Sequence, residues 1–202
     1  MKNTVLVLLL VTLLSSCDLF DTGKKFYIDN PSGKPLKVVL DGNTTINLSP
    51  LEYKKIKITS GSHQIVVDNG NAESFTIDEK ESQKGGLINP LGIKYVLWTA
   101  VYSADAKNYL PTQVISWNGK EIKGPFLVYN AIYIPDAWMY DVTTPFPENV
   151  SVNNNTNNVS SVWRTKLFRA DDFTREYEQT EQRRDKELLD KLNSMSKDVQ
   201  AK

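Results

Sequence analysis

Apolar and polar positions alternate through much of residues 26–78, and Gly, Asn and Asp interrupt the pattern about every ten residues. A period of two places successive side chains on opposite faces of a strand, and the interruptions are typical of tight turns. Asp41-Gly42 is a dipeptide favoured in two-residue hairpins. The pattern therefore predicts a small all-β unit, a sandwich or a barrel, with strands at 26–28, 36–40, 46–48, 53–58, 63–67 and 74–77.

Residues 85–170 continue as a second β-rich part, which we expect to pack on the first. Gly85-Gly86 opens a predicted loop that ends at Asn89-Pro90. The apolar segment 93–102 predicts a buried strand, with a short helix as the alternative. Asn118-Gly119 predicts a hairpin turn. The remaining strands are predicted at 114–117, 121–122, 126–134, 138–142 and 162–168, with a low-complexity loop at 153–158.

The pattern changes after residue 170. Residues 172–197 contain neither Gly nor Pro, and Asp171 is expected to cap a helix there. Thr180 and Arg184 interrupt the apolar face, so a packed coiled coil is not expected at its centre. We predict a charged, largely solvated helix over 171–202. Apolar residues at helical spacing are Phe173, Tyr177, Leu188, Leu192 and Met195, and the first two are expected to contact the β-rich part.

Residues 1–17 have the layout of a secretory signal. Lys2 is followed by an apolar run at 5–14 and by Ser15-Ser16. As a helix, the run would reach only about 15 Å, against a hydrocarbon core of about 30 Å. The sequence therefore predicts a signal peptide over residues 1–16 rather than a membrane-spanning helix.

Leu14-Ser15-Ser16-Cys17 resembles the lipobox of bacterial lipoproteins. The resemblance implies that the Cys17 thiol receives a diacylglycerol and that a peptidase cuts before it. Two acyl chains suffice for stable anchoring. Residues 17–25 would then be a lipidated tether, whose last eight residues reach roughly 27 Å when extended. We expect a membrane-anchored protein of the bacterial cell envelope. Asp18 resembles an inner-membrane retention signal of some bacteria, so inner and outer membrane both stay open.

A second resemblance covers residues 37–77. Val39-Leu40-Asp41-Gly42, Leu48-Ser49-Pro50 and the stretch from Ser60 to Val67 are similar to the repeat of PEGA-type β-modules. Ser-Pro-Leu-Glu stands where the Pro-Glu-Gly-Ala consensus would lie. The resemblance implies a β-module at 26–84 of a kind common in envelope proteins, with no catalytic residues to carry over.

The charge balance favours no strongly charged partner. The chain has 24 Lys and Arg and 24 Asp and Glu, and removal of residues 1–16 would leave 186 residues with a net charge near −1. Nothing in that balance indicates nucleic acid as a partner. The remaining length suits one domain with a core or two small ones.

Few residues offer chemistry. His63 is the only histidine and Cys17 the only cysteine, which excludes a His-rich zinc site and, once Cys17 is acylated, a Cys-His nucleophile pair. No Gly-x-Ser-x-Gly elbow and no glycine-rich phosphate loop is present. We therefore predict no cofactor, no metal site and no catalytic residue. His63, beside a turn, is expected to be structural.

Two further features leave alternatives open. Asp136 and Asp141 flank an aromatic stretch and would suit a carboxylate-dependent hydrolase, although capping and loop solvation explain such aspartates at least as well. Eleven of the twenty aromatic residues lie between 95 and 146. Among them, Trp98, Trp117 and Trp138 are candidate ligand-facing residues, with the core as the alternative location.

The sequence thus leaves three hypotheses of function. The leading one is a non-catalytic binding or accessory module for an envelope protein or a glycan. The second is the carboxylate-dependent hydrolase. The third is a structural tether that engages another envelope component through the C-terminal helix.

Overall fold

The computed structural model describes residues 25–102, 110–147 and 162–200, and within them the side chains of all but 101, 102, 162 and 197–200. The predicted signal peptide, Cys17 and the Asn-rich stretch 153–158 lie outside the described residues. In those ranges the chain forms thirteen strands and two helices. In chain order they are β1 Phe26–Asp29, β2 Leu36–Leu40, β3 Thr44–Leu48, β4 Tyr53–Ile56, β5 Gly61–Val67, β6 Ala72–Ile77, α1 Glu79–Ser82, β7 Gly86–Ile88, β8 Tyr95–Tyr102, β9 Gln113–Trp117, β10 Lys120–Gly124, β11 Phe126–Tyr129, β12 Tyr133–Pro135, β13 Val162–Arg169 and α2 Ala170–Gln200.

The strands of the described ranges form four sheets, in the orders β12-β7-β1-β4, β3-β2-β5-β6, β11-β8-β13 and β10-β9. The prediction of a mainly β protein with a C-terminal helix is confirmed. The first sheet takes β1 and β4 from before residue 85 and β7 and β12 from after it. The two parts of the chain therefore share hydrogen-bonded ladders.

Every strand predicted within residues 26–78 is present, because each is set by local alternation and a local turn. The β2–β3 hairpin turns at Asp41 and Gly42, whose φ angles of 51° and 69° are the left-handed values of a type I′ turn. Alternate residues point inward, so Val38 and Ile65 are buried at 0% and 1% exposure. They pack with Phe26, Ile28 and other apolar side chains of the first two sheets.

The predicted loop at 85–90 is wrong in its first half. Gly86–Ile88 is β7, which pairs parallel with β1 and antiparallel with β12. A side chain at position 86 would meet the Tyr133 ring at 2.5 Å and the carbonyl oxygen of Ile134 at 2.6 Å, so the strand passes there only as glycine. The two glycines that indicated a loop instead allow a buried strand.

Two other strand predictions fail in part. The predicted strand 126–134 is divided into β11 and β12, which join different sheets. Residues 138–142 do not form the predicted strand. Among the described residues, their only β-bridge is a single one between Tyr140 and Lys166. Asp141 explains the difference, because its carboxylate accepts hydrogen bonds from the backbone and hydroxyl groups of Thr143 and Thr144 and closes a turn instead.

Helix α2 starts directly where β13 ends. Ala170 is already helical, so Asp171 lies in the first turn and is not the cap that the sequence predicted, although acids there still suit the helix dipole. Phe173 is 0% exposed. Its ring centroid lies 5.0 Å from that of Trp117 and 5.2 Å from that of Phe126. Tyr177 follows one turn later against the same aromatic cluster.

A buried ion pair fixes the junction between β13 and α2. The Arg169 guanidinium donates to both carboxylate oxygens of Asp29, at 2.8 and 2.6 Å, and Asp29 is 0% exposed. The Tyr95 hydroxyl donates to the same carboxylate at 2.7 Å, and burial together with Asp29 raises the pKa of Tyr95 far above its usual range. Three sites distant in sequence are thus joined at one point beneath the start of the helix.

Candidate functional site

A cleft of about 690 Å³ lies between α2 and the segment 142–146. We refer to it as the α2 cleft. The turn at Asp141 holds one rim in place, and β13 supplies the floor through Lys166 and Phe168. The lining residues are Val142, Thr143, Thr144, Pro145, Phe146, Lys166, Phe168, Asp172, Arg175, Glu176, Gln179, Gln182, Arg183 and Lys186.

Lys166 is the unusual residue of this floor. It shares one strand face with Phe168 and is only 6% exposed. Its Nζ donates to the carbonyl oxygens of Asp141, at 2.8 Å, and Thr144, and lies 4.8 Å from the centroid of the Phe168 ring. Burial lowers the pKa of Lys166, against the attraction of Asp141 and the acids of α2. A buried ammonium is therefore held by carbonyl dipoles and one aromatic face.

The wall of the α2 cleft is one face of the helix. Residues 172, 175, 176, 179, 182, 183 and 186 recur at spacings of three and four, which aligns their side chains. Arg175 pairs with Asp172, and the Arg183 Nη2 lies 3.4 Å from the Glu176 Oε1. Four cations and two carboxylates line the cleft, so its formal charge is +2.

The two aspartates of the hydrolase hypothesis have different surroundings. Burial raises the pKa of Asp136, whose Oδ1 accepts a hydrogen bond from the backbone N–H of Trp138. Burial also acts on Asp141, but the hydrogen bonds from Thr143 and Thr144 outweigh it and lower the pKa. Neither carboxylate lines the α2 cleft. The Asp141 carboxylate is engaged in its turn, which explains the residue structurally.

The three candidate tryptophans do not form one surface. Trp117 is 7% exposed, and its Nε1 donates to the Thr174 hydroxyl at 3.0 Å, so it is not ligand-facing. Trp98 is half-buried within the same aromatic cluster. Trp138 is half-buried against a different core cluster. Trp98 and Trp117 fill the space between the aromatic-rich sheet and α2, whereas Trp138 packs on a core cluster that contains Tyr95 and Leu97 and no residue of α2.

Sequence reasoning missed two residues of interest. Trp163, on the strand predicted at 162–168, is 51% exposed, near the start of β13 and away from the packed end of that strand. Lys166 was not singled out at all. The alternation in β13 could have indicated it, since a lysine there occupies the same strand face as Phe168, a core residue.

His63 is held on both sides of its ring. Its Nδ1 lies 2.9 Å from the Asp41 Oδ2 and its Nε2 lies 3.0 Å from the carbonyl oxygen of Thr59. The hydrogen bonds from the Gln64 backbone and from His63 lower the pKa of Asp41. These contacts brace the β2–β3 turn against β5, and they leave neither ring nitrogen available for a ligand.

Comparison with protein-family models, curated proteins and solved structures gave no match. Within residues 25–102, 110–147 and 162–200, no helix combines the length and apolar character needed to cross a membrane. In those same ranges no group of three or more His, Cys, Asp or Glu side chains is placed to hold a metal ion.

Proposed function

We propose that this chain is a lipid-anchored lipoprotein of the bacterial cell envelope that acts as a non-catalytic binding or accessory module. The resemblance of Leu14-Ser15-Ser16-Cys17 to a lipobox supports the anchor part of this proposal. The binding part is supported by the α2 cleft, whose volume lies within the range of about 300–1,000 Å³ typical of small-ligand sites. Only residues 18–25 separate Cys17 from β1, which begins at Phe26, and so short a tether would keep the module close to the membrane.

Intact mass spectrometry of the membrane fraction tests the anchor. We expect the native protein to begin at Cys17 and to carry a diacylglycerol-sized addition. The Cys17→Ala variant should lack that mass and leave the membrane fraction. A native protein with an unmodified Cys17 would refute the anchor.

A tether acting through α2 is a second candidate function, and the distal half of the helix favours it. Every described side chain from Gln182 to Ser196 is exposed. Leu188, Leu192 and Met195 follow helical spacing and are each 55–58% exposed. Monomeric surfaces carry single exposed leucines, but aligned ones mark a contact surface more often.

Cross-linking in whole cells would test the tether. Replacing both Leu188 and Leu192 by Ser should abolish any α2-dependent cross-link, while replacing Lys191 and Asn193, which are exposed and lie outside the cleft lining, by Ser should not. An identical cross-link pattern for both variants would remove the tether from consideration and would leave the anchor proposal unaffected.

A further inference from the structure

We propose that the α2 cleft binds a small saccharide bearing a single carboxylate, and that Lys166 is the group that receives this carboxylate. The inference rests on the proposed binding role and names the ligand class of its site. It is carried by a buried ammonium group that forms no ion pair with a carboxylate of the described residues.

The Lys166 ammonium lies against the Phe168 ring but has an incomplete set of hydrogen-bond acceptors. An ammonium carries three donors, and the described residues supply two acceptors, the carbonyl oxygens of Asp141 and Thr144. No carboxylate in the described part of the chain forms an ion pair with it; Asp172 and Glu176 are engaged by Arg175 and Arg183. A buried charge without a counter-ion is costly, because carbonyl dipoles replace only part of its hydration. A carboxylate bound in the cleft would supply both the third acceptor and the missing charge.

The rest of the lining favours a saccharide over an acidic peptide. Thr143, Thr144, Gln179 and Gln182 present hydroxyl and amide groups, which can both donate to and accept from sugar hydroxyls. Phe146 adds an apolar ring at the rim. On the wall, Asp172 and Glu176 offset the charges of Arg175 and Arg183, so the wall offers little net positive charge to a ligand with several negative charges. A saccharide with one carboxylate and several neutral hydroxyl groups therefore matches a cleft with a cationic floor and a polar, partly acidic wall.

Titration calorimetry on the full chain in detergent tests the inference. The probe is the disaccharide of glucuronic acid and N-acetylglucosamine, and the uncharged control is N,N′-diacetylchitobiose. We expect the acidic disaccharide to bind at least about tenfold more tightly than the neutral one, and Lys166→Met to remove that difference. Lys166→Arg, which keeps the charge, should retain part of it.

A variant that leaves the floor intact guards against misfolding of Lys166→Met. Lys186 lines the cleft and is exposed, so Lys186→Gln should fold normally and weaken binding of the acidic disaccharide about two- to fivefold. Lys191 lies on the same helix outside the lining, and Lys191→Gln should bind as the native protein does. Equal losses in both variants would show only a general charge effect and would overturn the assignment.

Other ligands separate the remaining outcomes. Tighter binding of tri-glutamate would overturn the saccharide in favour of an acidic peptide, and equal binding of inorganic phosphate would reduce the site to a bare anion site. Failure of the acidic disaccharide to bind would refute the inference outright. The mass of Cys17 is read separately on the same preparation, so failure of the anchor and failure of the cleft are distinguishable.

Discussion

The two halves of α2 belong to one uninterrupted helix but have opposite surroundings. In the proximal half Phe173 is enclosed by the rings of Trp98, Trp117 and Phe126. In the distal half the described side chains from Gln182 onward are exposed. A helix of 31 residues extends about 47 Å, and only its first turns pack on the aromatic cluster of the sheet.

The difference teaches where the stability of this helix originates. Isolated helices are marginal in water, and most helical stability in proteins comes from packing of an apolar face. The proximal half has such packing. The distal half depends on helix propensity and on exposed side-chain pairs such as Arg184 with Glu181, which contribute little each. The cleft described above lies at the transition between the two halves.

The largest effect should follow from removing the central ring of the docked half. Phe173→Ala deletes a fully buried aromatic side chain, and we expect the free energy of unfolding to fall by about 4 kcal/mol. Urea denaturation followed by circular dichroism measures it. A loss below about 1 kcal/mol would mean that the aromatic cluster does not hold the helix.

A slightly smaller effect should follow at the helix start. Arg169→Met leaves the buried Asp29 carboxylate without its charged partner, and we expect a loss of about 3 kcal/mol. The double variant with Asp29→Asn should lose clearly less than the sum of the two single changes, because the pair acts as a unit. Additive losses would show that the two residues contribute independently.

Substitutions in the distal half of α2 should change the free energy of unfolding very little. Leu192→Ala removes an exposed side chain and improves helix propensity slightly, so the free energy of unfolding should stay within about 0.5 kcal/mol of the native value.

Amide hydrogen exchange checks the contrast between the two halves of α2 directly. Protection should be high at residues 173–177 and low at 186–196. Comparable protection in both stretches would erase the distinction between the halves.

The sequence predicted best those elements whose signals are local. The β2–β3 hairpin and the hairpin of β9 and β10 follow from Asp41-Gly42 and Asn118-Gly119, since turn chemistry and alternation act over a few residues. The start of α2 was predicted to within one residue, and its two docking aromatics were identified from their spacing.

Non-local pairing explains the failures. β7 is only three residues long and pairs with β1, about sixty residues earlier, so the residues next to it in sequence do not indicate a strand. The burial of Trp117 depends on its contact with α2, and the alternation of residues within a strand gives no information about that contact. Lys166 was missed for the same reason, because its acceptors come from a turn more than twenty residues earlier.

The central position of β1 has a mechanical consequence. The strand nearest to Cys17 in sequence has neighbours on both sides, with β4 antiparallel and β7 parallel to it. A pull applied through the proposed anchor would enter the fold at residue 25 and load both ladders in shear, so that several hydrogen bonds must rupture together. Tension from a moving membrane would thus be borne by the interior of the sheet, while a peripheral strand would peel away one bond at a time.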